Sequence, residues 1–176
     1  MKRNVIIAVL VALLALIMVV SPVMAQVAPN VNGMEIFAGI KVGQVRYGAT
    51  FVAVVTPTQG LPGGGEIRAS VNYTPNDPLV GDTPGTVAGI NHITGGSWRL
   101  NVFHGLNYLG FISGKVNDGG TVDWTNAPKI ALITTVLTVN DFSPNYKNFK
   151  NYKYNFIGYL SHQNYPPTVT GLLTKQ

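Results

Sequence analysis

In Glu66-Ile67-Arg68-Ala69-Ser70-Val71-Asn72-Tyr73, every second side chain is apolar. Ile67, Ala69, Val71 and Tyr73 share one side of an extended chain, and Glu66, Arg68, Ser70 and Asn72 share the other. That is the period of a half-buried β-strand rather than of a helix. The same rhythm continues on both sides. Upstream, Val45, Tyr47, Ala49, Phe51, Ala53 and Val55 face one way, while Arg46, Gly48, Thr50, Val52 and Val54 face the other. Downstream, Trp98, Leu100 and Val102 alternate with Arg99 and Asn101. The stretch from Thr56 to Gly65, with Pro57, Gly60, Pro62, Gly63 and Gly64, has the composition of a turn or loop. Gly63-Gly64-Gly65 lacks the spaced Lys and Ser/Thr of a phosphate loop and reads as part of that turn.

Further strands are expected at Met34–Ile40, Asn107–Val116, Lys129–Val139, Lys153–Leu160 and Thr168–Leu173. Asn117-Asp118-Gly119-Gly120 can supply positive φ, so it is predicted to fold Tyr108–Val116 back against Thr121–Trp124. Lys129–Val139 is partly apolar on both faces and reads as a central strand between packed layers. Residues 74–96 and 140–151 are expected to be long irregular segments, the first a candidate lid or binding loop. Gly48, Gly110, Gly114 and Gly158 are candidate bulges or barrel corners. The result is an all-β domain of eight or nine strands: a compact antiparallel β-sandwich, which is preferred, or a small β-barrel. Several expected strands fall short of the roughly 9 to 11 residues that cross a membrane, which counts against a membrane barrel.

Composition places this domain after a leader. Met1-Lys2-Arg3 is a basic start, Asn4–Val20 is a long apolar run, and Ser21–Ala25 ends in small residues. Residues 1–25 therefore read as a cleaved signal peptide and 26–176 as a single mature domain, secreted or in the cell envelope, with an uncleaved N-terminal membrane anchor as the alternative. Without Lys2 and Arg3, ten basic and seven acidic residues leave a charge of +3. That is too weak for a nucleic-acid surface. With no cysteine in the chain, disulfides and thiolate metal sites are excluded. All 20 glycines and ten of the 11 prolines follow the leader, as a sheet protein with many turns requires.

No motif fixes a catalytic centre, and no metal site or cofactor is expected. His92, His104 and His162 lack any local multiligand spacing. A small secreted hydrolase or lyase would have to combine His92 or His104 with Asp118, Asp123 or Asp141, and with Ser97 or Ser113. The only glutamates, Glu35 and Glu66, give a weak carboxylate pair. Aromatic residues are more informative. Seventeen Phe, Trp and Tyr match the 17 charged residues of the mature chain. Most must be core, but Trp124 after the glycine turn, Tyr146 in the second irregular segment and Tyr152 just past its end are the candidate ligand contacts. The favoured function is noncatalytic recognition or structural support, with a glycan or another envelope or extracellular surface ligand as partner. The hydrolase or lyase, a self-assembling homo-oligomer and a membrane β-barrel are the alternatives.

Overall fold

The structure, a computed structural model, describes residues 28–40, 47–74, 89–125 and 129–176. The expected leader, and residues 75–88 of the first irregular segment, lie outside the described residues. Nine strands follow in order: β1 Val31–Ile40, β2 Tyr47–Val55, β3 Gly65–Tyr73, β4 Ile90–His104, β5 Asn107–Val116, β6 Thr121–Asp123, β7 Ile130–Phe142, β8 Lys153–Ser161 and β9 Thr168–Lys175.

Every pairing is antiparallel, and eight of the strands close on themselves in the circuit β1-β2-β3-β4-β5-β7-β8-β9, with β9 returning to β1. The barrel therefore replaces the sandwich as the architecture. Closure depends on β4, which is long enough to pair with β3, β5 and β6. Register shifts at Asn72/Tyr73, Val102/Phe103 and Ser113/Gly114 let these strands coil around the axis instead of forming a flat layer. Gly110 and Gly114 sit at such irregularities, as expected of corner glycines. A Cβ on Gly114 would run into the Thr138 carbonyl on β7.

Three expectations at the level of elements need correction. The Asn117–Gly120 turn forms, with Gly119 at φ +87°, but β6 does not fold back on β5. The free edge of β5 is occupied by β7, from Val116 paired with Leu137 to Ile112 paired with Phe142. β6 instead bridges Ile90–His92 of β4 and Leu132–Thr134 of β7. Residues 90–96 belong to β4, and β7 runs on to Phe142 before a short 3-10 helix, Pro144–Phe149. β7 is also part of the barrel wall rather than a strand between layers. Its inward residues are Ala131, Ile133, Thr135, Leu137 and Val139.

Inward alternation elsewhere matches the sequence reading: Ala49, Ala53 and Val55 on β2, Ile67, Val71 and Tyr73 on β3, and Trp98, Leu100 and Val102 on β4 are buried together. Trp98 meets Tyr154 edge to face at 6.2 Å and donates its Nε1–H to the Thr138 carbonyl at 3.3 Å. The interior is filled. Among the described residues it holds a cavity of about 60 Å³, walled by Phe51, Val71, Leu137, Phe156 and other apolar side chains, with Thr135 as its polar exception.

Seven of the eight barrel strands have the nine residues or more of a membrane crossing, and β9 has eight. Polarity runs the other way from that of a lipid-embedded barrel, which is apolar outside and polar within. Here the interior is apolar, and the outer face of β3, β4 and β5 carries Glu66, Arg68, Arg99, Asn101 and Lys115. Exposed apolar side chains stand among these, Val54 of β2 directly beside Glu66, with Met34 on β1 and Ile157 and Tyr159 on β8, so among the described residues the outside is a mixture of charged and apolar groups rather than an uninterrupted apolar belt.

Candidate recognition surface

The two ends of the barrel are closed by different means. At one end the Thr56–Gly64 connection folds over the core: the Tyr154 hydroxyl donates to the Gly60 carbonyl at 3.0 Å. Buried Asn30 accepts from the Leu173 N–H at 2.8 Å and donates to Thr58 Oγ1 at 3.2 Å. Beside it the 3-10 helix brings an aromatic cluster. Phe149 lies edge-on to Tyr146 at 6.0 Å and to Tyr152 at 5.2 Å, and Lys175 Nζ sits 3.7 Å above the Tyr152 ring.

At the other end, Trp124 is 1 % exposed. Its indole N–H donates to Asn91 Oδ1 at 3.1 Å, Asn91 donates to the Thr74 carbonyl at 3.0 Å, and the ring packs edge-on against His162 at 5.2 Å. Glu35 is buried here with Oε2 2.8 Å from His162 Nε2. The two atoms touch without meeting hydrogen-bond geometry. Nε2 is sealed from solvent. The pair clamps the β8–β9 connection to β1, an effect reinforced by the Glu35 N–H donating to the Pro167 carbonyl at 2.9 Å.

The sequence-predicted contacts therefore divide. Trp124 offers no free face, and Tyr152 is held between Phe149 and Lys175. Tyr146 borders the surface. Burial first and neighbouring Tyr108 second hold its hydroxyl above the usual tyrosine range. Of the dispersed His and Asp residues, His92 and Asp123 come onto one face of neighbouring strands, since His92 pairs with Thr121 and Ile90 with Asp123. His92 and His104 are both exposed and stand twelve residues apart on β4, about 40 Å for an extended strand. Asp123 turns to Thr125, whose side-chain and backbone hydrogen bonds lower its pKa. Among the described residues no three His, Cys, Asp or Glu side chains gather as metal ligands.

What the sequence reading missed is the outer face of the β4–β5 hairpin. Arg99 pairs in register with Ser113, Asn101 with Phe111, and Phe103 with Tyr108. The bulge at Val102/Phe103 brings Phe103 and Tyr108 together edge to face at 5.5 Å, with exposures of 39 % and 53 %. Arg99 lies over Phe111 with Cζ 3.7 Å from the ring centroid. Its Nε–H donates to Asn101 Oδ1 at 2.9 Å and an Nη2–H to the Tyr108 hydroxyl at 3.4 Å. Leu106 and Leu109 extend the patch across the hairpin turn. The Phe111 N–H donates to Ser143 Oγ at 2.9 Å, and Tyr146 covers Gly110, so the face is braced from the side by the 3-10 segment.

The chain matches no family model, no curated protein and no solved structure.

The period-two alternation that buried Trp98 already implied that Arg99, Asn101 and Phe103 point outward together. Chemically, the face offers exposed ring area, a guanidinium, an amide and a phenol on a backbone fixed by hydrogen bonds on both sides. Such a set binds flat, polar-edged ligands: the rings take apolar faces, and the polar groups fix orientation.

Proposed function

We propose that this is an exported, noncatalytic recognition domain that holds a glycan of the cell envelope or its surroundings on the outer face of β4 and β5. The observation that carries this reading is the Phe103–Tyr108–Arg99–Phe111 array, in which exposed rings and polar groups are interleaved on rigid strands. The filled interior supports a surface mode of binding, because a cavity of about 60 Å³ is far below the several hundred Å³ that enclose a sugar or drug-sized ligand. Export is supported by the basic start, apolar run and small-residue site of residues 1–25.

The test is cosedimentation of the purified protein with insoluble envelope polysaccharide. Replacing both Phe103 and Tyr108 by Ala is expected to lower association by at least tenfold while the thermal transition stays in place, because neither ring is part of the core. Association unchanged in a folded double variant would refute the reading. The hydrolase or lyase alternative is favoured by one contact, Glu35 with His162. Its test is Glu35→Gln, which would abolish turnover in an enzyme, whereas recognition on the far side of the barrel would survive it.

A further inference from the structure

The ring-bearing face has a charge arrangement that the fold does not need. Arg68 on β3 and Arg99 on β4 are register partners, which sets their Cβ atoms about 4.5–5.5 Å apart on the same side of the sheet. Like charges placed directly opposite weaken a sheet. Each arginine is steadied locally: Arg68 Nε donates to Glu66 Oε1 at 2.7 Å on its own strand, and Arg99 uses Asn101, Tyr108 and the Phe111 ring. None of these contacts joins strands that the ladder has not already joined. The Arg68 side chain remains 64 % exposed. Lys115, paired with Ser97, adds a third cation. Among the described residues the carboxylates on this side are Glu66, already engaged, and Asp141, which faces Ser113 from β7.

We propose that Arg68 and Arg99 form a charge-reading pair, and that the ligand of this face is an acidic polysaccharide. Its ring carboxylates meet the two guanidiniums and its sugar faces lie on Tyr108 and Phe103. This rests on the recognition reading above and names its substrate class. A guanidinium presents a planar fork matched to a carboxylate, and two forks side by side can engage successive acidic sugars. The same juxtaposition that disfavours the free protein becomes favourable once an anion lies between the charges.

The experiment is affinity electrophoresis of the full chain in gels containing polygalacturonate, its fully methyl-esterified form, or dextran. Polygalacturonate is expected to retard the protein, the methyl ester and dextran to do so at least tenfold more weakly, and Arg68→Gln and Arg99→Gln each to lose at least tenfold in retardation. Arg68→Gln is also expected to unfold at the same denaturant concentration as the parent or a higher one, which separates lost charge from lost fold. Equal retardation by the ester and the acid would overturn the acidic ligand while leaving glycan recognition standing. No retardation by any polymer would overturn both. Capture by phosphatidylglycerol vesicles without retardation by polygalacturonate would overturn the polysaccharide in favour of a lipid headgroup.

Discussion

Trp124 is fixed by the one polar atom of its ring. Its N–H goes to Asn91, whose own amide goes to the Thr74 carbonyl, so a Trp124→Phe substitution leaves a buried acceptor without its donor. A loss of about 1–3 kcal/mol in unfolding free energy is expected from chemical denaturation, with no change in ligand association. Thr135 presents the opposite situation. Its buried Oγ1 has no hydrogen-bond partner beside an apolar cavity, so Thr135→Val should stabilise the protein by about 1 kcal/mol, read as a higher denaturation midpoint. Tyr154 supplies a pH dependence. Burial, then the neighbouring Tyr152, raises its pKa well above the usual tyrosine value of about 10. The unfolded chain therefore gives up this proton first. The stability it contributes is intact below about pH 10 and is lost as pH rises from there toward the folded-state pKa. Thermal scans from pH 9 upward should show this fall, and Tyr154→Phe should make it shallower while losing the hydrogen bond to Gly60. Residue identity alone left these roles open. The burial of Glu35 was not legible because its partner His162 lies over a hundred positions away, and because the register shift beside Ile36 breaks simple alternation.

Strands were legible wherever alternation was unbroken, as in β2, β3 and the Trp98–Val102 part of β4, because one face had to be buried in each. Partners were not legible. The glycine turn at 117–120 implied a hairpin by local chemistry, yet β7 offers the edge of β5 a five-residue ladder, against the three residues of β6, and takes it. The recognition surface escaped notice for a related reason: Arg99, Asn101 and Phe103 were visible as an outward set, but only the bulge opposite Gly110 joins them to Tyr108. The same dependence makes the bulged region sensitive. A methyl group at Gly114 would collide with the Thr138 carbonyl across the β5–β7 ladder, so Gly114→Ala is expected to destabilise by roughly 3 kcal/mol or more, or to prevent folding, as judged by circular dichroism and soluble yield. Gly119, whose added Cβ would meet nothing within 4 Å, is the control. Alanine there strains only a turn at positive φ and should cost about 1 kcal/mol.

Closure is the property of the whole molecule that composition could not decide. A sandwich and a barrel use the same alternating strands and the same turns, and they differ only in whether β4 continues past one sheet into the next. Closing the circuit removes sheet edges, but not everywhere. β9 covers β1 only from Val31 to Met34, since Pro166 and Pro167 precede its first residue. Beyond the Glu35 N–H, which meets the Pro167 carbonyl, Ile36–Ile40 pairs with β2 alone among the described residues. Ile36 and Phe37 are exposed there. Among the described residues no strand takes up the backbone groups on that side of the strand, where opening requires no loss of the core. Hydrogen exchange should therefore divide the molecule in two. Amides in the β3–β4, β4–β5 and β7–β8 ladders are expected to exchange only by global unfolding, with a common free energy that shifts equally in Trp124→Phe. Unladdered amides of Ile36–Ile40 should exchange orders of magnitude faster and should not respond to that substitution. If the latter amides are instead protected to the global level in dilute protein and lose protection on further dilution, the edge is covered by a second copy, and the barrel works as a dimer.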